Sequence, residues 1–143
     1  MKRFAFLCLL VCGSLAFAMS HQATAPGDSE SHTHESTAAI EGLVRDVACP
    51  VQNLESTATH LSMKCLVTCT RKGSPLVILT KDGELYLPIS DEMPDSDQRQ
   101  KLMPFLGKYV RVTGTIYDRK GPHAIVIRDI QELKDVHLTI EDQ

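Results

Sequence analysis

Three cysteines, Cys49, Cys65 and Cys69, lie close together along the chain, and His60 lies just before the last two. Deprotonated cysteine and neutral histidine are the ligands that zinc prefers in closed protein sites, and soft thiolates also suit Cu(I). The sequence therefore predicts a Cys3His metal site made by Cys49, His60, Cys65 and Cys69. The ion expected there is Zn or Cu, held either as a structural metal or for metal handling.

The spacing of the last two cysteines favours a metal over a bridge between them. Residues 61–72 contain no Gly or Pro, and Gly73 stands where a helix would end. A helix over this range places Cys65 and Cys69 on its apolar face, which we expect to turn toward the sheet. Residues four apart on a helix keep their Cβ atoms about 5–6 Å apart, whereas a disulfide needs about 3.5–4.5 Å. One zinc ion with Zn–S bonds of about 2.3 Å fits between two such thiolates.

His60 can join this set only under one condition. On an unbroken helix it lies about 140° from Cys65, on the opposite face. The helix must therefore begin after His60, which Ser62 permits if it serves as the N-cap residue. Asp46 is expected either to orient a ligand from behind or to cap the loop that follows it.

Two other states of the cysteines stay open. Cys49 can form a disulfide with Cys65 or Cys69, which ties the helix to the first strand and leaves one thiol over. Thiol redox chemistry is the other alternative, although the familiar Cys-x-x-Cys spacing is absent. In the disulfide case the protein is an interaction module that binds a cell-envelope partner or a small ligand without catalysis.

The first residues indicate export. Residues 1–18 combine a basic start, an apolar stretch and a small-x-small end at Ala16-Phe17-Ala18, which is typical of a cleaved signal peptide. The stretch falls short of the roughly 20 apolar residues of a membrane span, so we expect a periplasmic or secreted protein without stable membrane insertion. Lipidation of Cys12 is disfavoured because the preceding Val11 is not small.

Removal of the signal peptide changes the net charge and the cysteine count of the mature chain. It leaves 13 basic and 18 acidic residues, a net charge of −5, and three of the five cysteines. An odd cysteine count in an exported protein indicates a metal, a reactive thiol or an intermolecular bridge. An acidic chain without Trp lacks the charge and stacking surfaces of nucleic-acid binding. No Ser-His-Asp ordering, P-loop or Gly-rich dinucleotide fingerprint appears and no carboxylate pair stands out, so we expect no enzyme.

The remaining patterns predict a mainly β fold with one short helix. Strands are expected over 40–47, 76–80, 84–87, 110–116 and 124–130, with Asp82-Gly83 as a hairpin turn. Five short strands favour closure into a small OB-like barrel, because closure removes exposed sheet edges. The expected organisation is a disordered leader over 19–39, one domain over 40–138 and a tail over 139–143.

Two parts of the sequence resemble known groups of bacterial proteins. Residues 107–116, with 125–127 and Ile130, resemble the last strand pair of exported bacterial OB-fold domains, in which Gly114 would allow a sharp coil. The order Gly-x-Val-x-Asp-x-x-Cys (42–49), Cys-x-x-x-Cys (65–69), Gly-x-Pro (73–75) and Asp-Gly-x-x-Tyr (82–86) is similar to that of a group of exported bacterial proteins with no established activity. This resemblance implies an OB-like end and singles out the cysteines, but it implies no activity.

Overall fold

The computed structural model describes residues 34–121 and 123–141. The predicted signal peptide, Cys12 and residues 19–33 of the predicted leader lie outside them. In chain order, the described elements are β1 (His34–Asp46), α1 (Ala48–Gln52), β2 (His60–Leu61), α2 (Met63–Arg71), β3 (Leu76–Thr80), β4 (Leu85–Ile89), α3 (Arg99–Leu102) with a 3-10 turn (Met103–Phe105), β5 (Tyr109–Asp118), β6 (His123–Glu132) and β7 (Thr139–Ile140).

Five of these strands close into a barrel in the order β1-β3-β4-β6-β5. Neighbours are antiparallel except β4 and β6, which run parallel. The predicted OB-like five-stranded barrel is confirmed, together with its hairpin at Asp82-Gly83. The expectation of one helix is corrected: α2 is the predicted helix, and α1 and α3 are additional short ones.

Closure depends on a close approach between β5 and β6. The register of this pair shifts between Thr113 and Gly114, so that one residue of β6 bulges out of the ladder. At Gly114 the backbone carbonyl of Val126 occupies the space where a Cβ would stand. Only glycine lets the two strands come this close, which agrees with the coil expected at this position.

The barrel interior is an aliphatic core. Its centre consists of side chains with no exposed surface, and burying each of them contributes about 1.5–3 kcal/mol: Val44, Ile78, Val110, Val112 and Ile125. A second cluster lies under α2 and includes Leu43, Leu61, Leu66, Leu79 and Tyr109. This second cluster attaches the helix that carries two of the cysteines to the outside of the sheet.

Both ends of the described domain extend beyond the predicted bounds. Residues 34–39, expected in the leader, belong to β1 and pair with residues 113–118 of β5. The long β5 supplies backbone partners there, which orders a segment that has few apolar side chains of its own. Thr139 and Ile140, expected in the tail, form β7 and pair in parallel with His60 and Leu61 of β2.

Within 34–121 and 123–141, no helix combines the length and apolar character needed to cross a bilayer.

Candidate metal centre

Cys49 is positioned by the last residue of β1. Asp46 is fully buried, and its Oδ2 accepts a 2.9 Å hydrogen bond from the backbone N–H of Cys49. This bond spans the junction between β1 and α1, whose N-cap residue is Val47, and fixes the turn between them. Cys49 is consequently held in the first turn of α1, with 8% of its surface exposed.

Cys65 is positioned by the start of α2. Ser62 has extended backbone geometry, and its hydroxyl accepts a 3.1 Å hydrogen bond from the N–H of Cys65. The predicted N-cap at Ser62 is confirmed, and the helix begins after His60 as the Cys3His arrangement required. Cys65 therefore lies in the first turn of α2 and is the most exposed of the three cysteines.

Cys69 is positioned by the end of the same helix. Gly73 adopts φ +92°, its N–H donates to the carbonyl of Thr70, and the N–H of Ser74 donates to the carbonyl of Cys69. This pair of bonds is a Schellman C-cap, which satisfies two of the last helix carbonyls. Arg99 of α3 adds bonds from its guanidinium to the carbonyls of Thr70 and Ser74. The turn that carries Cys69 is thus fixed from both sides.

The three sulfur atoms form a compact triangle. The Sγ atom of Cys69 lies 3.8 Å from that of Cys49 and 4.0 Å from that of Cys65. The Sγ atoms of Cys49 and Cys65 are 2.50 Å apart, and their Cα atoms are 7.3 Å apart. Such a group can either form a disulfide between Cys49 and Cys65 or hold a metal ion.

The helix presents its thiols differently from the expectation. Leu66 and Thr70 are the α2 residues buried against the domain, whereas Cys65 and Cys69 border a cavity that Cys49 of α1 also lines. The thiols consequently face α1 rather than the sheet. The cavity has a volume of about 160 Å³, and its polar lining includes Asn53, Ser62 and Glu141.

The structure does not bring His60 into the sulfur triangle. The group of potential ligands that lie together in the described residues contains Cys49, Cys65 and Cys69. The Nε2 atom of His60 instead lies 3.1 Å from a carboxylate oxygen of Glu141. The parallel pairing of β2 with β7 sets this contact, because it brings the end of the described chain beside His60. Glu141 lines the cavity of the cysteines and links His60 to it indirectly.

The sequence-based prediction did not include Arg45, a buried arginine beside the site. The side chain of Arg45 is fully buried, and its guanidinium donates to the Thr57 carbonyl at 3.0 Å and to the Ser56 hydroxyl at 2.6 Å. Burial lowers the pKa of Arg45, while the charges of Asp46 and Cys69 oppose that shift. The sequence signal that could have indicated this buried arginine is an adjacent Arg and Asp in a strand otherwise rich in apolar residues. Arg45 places a positive charge within electrostatic range of Cys69.

The chain was also compared with known proteins. No protein-family description, no curated protein sequence and no solved structure matches it.

Proposed function

We propose that this is an exported protein whose cysteine cluster binds one soft or borderline metal ion, Zn²⁺ or Cu⁺. The observation that carries the proposal is the sulfur triangle. A tetrahedral zinc ion with Zn–S bonds of about 2.3 Å separates its sulfurs by about 3.8 Å. The 3.8 Å and 4.0 Å separations from Cys69 to Cys49 and Cys65 match that spacing.

The backbone spacing of the remaining pair supports the same proposal. Cα atoms of disulfide-bonded cysteines are usually about 4.4–6.8 Å apart, and those of Cys49 and Cys65 are 7.3 Å apart. This wider backbone spacing leaves room for an ion between the two side chains. The positive charge of Arg45 balances part of the negative charge of three thiolates in this partly buried place.

Glu141 is our proposed fourth ligand. Glu141 lines the same cavity as the three cysteines but lies outside the group whose ligand atoms meet there, so its side chain must turn toward the sulfurs to bind the ion. His60, which contacts Glu141 at 3.1 Å, then orients the ligand rather than binding the ion itself. We assign no catalysis to this site.

Metal analysis of the full chain, purified under reducing conditions, tests the proposal. We expect one equivalent of metal per chain and, after replacement by Co²⁺, a sulfur-to-cobalt charge-transfer absorption. Cys49→Ser and Cys69→Ser should lose the ion, whereas Thr68→Ala, an exposed change on the same helix, should keep it. Glu141→Gln should weaken binding more than His60→Asn. A reduced chain that retains no metal overturns the proposal.

A second candidate is the disulfide-stapled OB-like module that binds a cell-envelope partner or a small ligand. The pairing of Cys49 with Cys65, which leaves Cys69 as the free cysteine, favours it. A groove of about 410 Å³ on the barrel offers a surface for the ligand, lined by Val47, Val77, Leu85, Leu87, Gly121 and His123. Replacing all three cysteines with serine distinguishes the two candidates. The module should lose stability but keep its ligand, whereas a metal handler should lose its function.

A further inference from the structure

The Cys69 thiol lies near both sulfurs of the Cys49–Cys65 pair. Cys69 Sγ lies 3.8 Å from Cys49 Sγ and 4.0 Å from Cys65 Sγ. We infer that the oxidised cluster carries a disulfide that migrates, with Cys69 taking the place of Cys65 as the partner of Cys49. The inference concerns the metal-free, oxidised cluster, so it stands whether or not the reduced cluster binds a metal.

The bonds, electrons and protons of this thiol–disulfide exchange all come from the three cysteines. Exchange needs the three sulfurs nearly in line, so the Cys69 side chain first rotates out of the triangle. Its thiolate then attacks Cys49 Sγ from the side opposite Cys65, a Cys49–Cys69 bond forms, and the Cys49–Cys65 bond breaks. The electron pair of the broken bond stays on Cys65, which leaves as a thiolate and takes up the proton released by Cys69. One disulfide and one thiol are present before and after, so no external oxidant or reductant is consumed.

The helix decides which sulfur is attacked. Attack on Cys65 would join Cys65 to Cys69, and these residues are four apart on α2. Their Cβ atoms are about 5–6 Å apart on a regular helix, wider than the roughly 3.5–4.5 Å of a disulfide. Attack on Cys49 needs no change in the helix, because Cys49 belongs to α1. Cys49 is therefore the common partner, and only Cys65 and Cys69 alternate.

Migration changes which thiol meets the solvent. With Cys49 joined to Cys65, the free thiol is Cys69, which is partly buried. With Cys49 joined to Cys69, the free thiol is Cys65, the most exposed of the three, in the first turn of α2. Negative charge is favoured at that end of a helix, which helps Cys65 to leave. The exchange thus delivers a reactive thiol to the surface, where it can combine with low-molecular-weight disulfides.

A bulky maleimide detects the exchange. The full chain is oxidised, freed of metal with a chelator, and incubated with a polymer-linked maleimide before the labelled cysteine is located by peptide mass spectrometry. We expect one label per chain, on Cys65, although the bridge between Cys49 and Cys65 alone would leave Cys69 free. Because metal is absent throughout, a failure of metal binding leaves this result unaffected.

Single variants provide the controls. Cys69→Ser leaves Cys49 and Cys65 bridged and should take no label, and Cys65→Ser should also take none because Cys69 is then held by Cys49. Cys49→Ser should leave both thiols free and should be labelled at Cys65 at once. Label confined to Cys69 in the wild-type chain overturns the inference. Should a variant fail to fold, acid quenching of the wild-type chain followed by a small alkylating agent decides, since absence of the Cys65-modified species also overturns it.

Discussion

The backbone N–H of Cys49 donates a 2.9 Å hydrogen bond to the carboxylate of Asp46, a residue with no exposed surface. The same carboxylate interacts electrostatically with the buried guanidinium of Arg45. One acidic side chain therefore ends the first strand, fixes the turn into the first helix and positions the first cysteine. Its neighbour Arg45 anchors the loop at Ser56 and Thr57 that leads to the other two cysteines.

Replacing this carboxylate should destabilise the fold. Asp46→Ala removes the acceptor of the Cys49 amide and leaves the Arg45 charge buried without its neighbour, so we expect a loss of roughly 3 kcal/mol or more in urea unfolding. Asp46→Asn is the matched control, since its amide oxygen can still accept from Cys49, and it should lose less. Equal stability of both variants and the wild-type chain would contradict this role.

Metal should stabilise the reduced chain. A ligand that binds only the folded state at about 100 times its Kd raises the free energy of unfolding by about 2.7 kcal/mol. We therefore expect the Tm of the reduced chain to rise when Zn²⁺ is added and to fall again with a chelator. Cys69→Ser should show neither change. A rise of the same size in that variant would place the ion elsewhere.

Arg99 should stabilise the end of α2. Its guanidinium donates to the carbonyls of Thr70 and Ser74, and hydrogen bonds from charged donors contribute about 1.5–3 kcal/mol. Arg99→Ala should lower the free energy of unfolding by about 2 kcal/mol and increase hydrogen exchange in the last turn of α2. Arg99→Lys keeps the charge but not the two-pronged geometry, so it should lose less. Unchanged exchange in the alanine variant would argue against this capping role.

Gly114 should tolerate no side chain. Gly114→Ala sets a Cβ against the Val126 carbonyl and must push β5 and β6 apart, at a cost of roughly 1–3 kcal/mol. Gly83→Asn is the comparison, because a side chain there meets open space and is strained only by the φ of +91°, so it should cost less than Gly114→Ala. Urea unfolding measures both. A harmless alanine at Gly114 would contradict the close approach.

Asp95 should make the loop before α3 sensitive to acid. Its Oδ1 accepts from the backbone N–H of Ser90 at 2.7 Å and from the Ser90 hydroxyl at 2.9 Å. These bonds lower the pKa of Asp95 below the ordinary value of 3.8. Because the folded pKa is the lower one, the stabilisation is complete above the unfolded value and is lost as the pH falls through the folded value.

An NMR titration measures this effect. The amide shift of Ser90 should titrate with a midpoint below 3.8 in the wild-type chain and should lose that step in Asp95→Asn. Glu92→Gln, an exposed carboxylate of the same loop, should leave the step in place. A midpoint at or above the ordinary value would contradict the hydrogen-bonded arrangement.

The barrel could be predicted because its signals are local. The alternation along β5, the Asp82-Gly83 turn and the N-cap at Ser62 each depend on residues adjacent in sequence. The same is true of the helix end at Gly73, where the positive φ favours glycine. The prediction that Cys49 returns to the neighbourhood of Cys65 and Cys69 followed from this local frame.

The contacts that complete the site could not be predicted, because they depend on distant segments. Pairing of β2 with β7 involves two residues on each strand, and nothing in either short segment indicates its partner. That pairing brings His60 to Glu141 and away from the sulfurs. Helix α1 escapes prediction for a local reason: it has only five residues, includes Pro50, and its N-cap residue Val47 supplies no side-chain cap.

The three cysteines all lie on one excursion of the chain. It leaves the barrel after Asp46 and re-enters it at Leu76, and these two residues face each other in the register of β1 and β3. An ordinary tight turn could join the same two positions without altering the ladder. The cluster is therefore a single insertion in the β1–β3 hairpin, attached to the rest of the domain through the second core cluster, the Arg45 hydrogen bonds and the β2–β7 pairing.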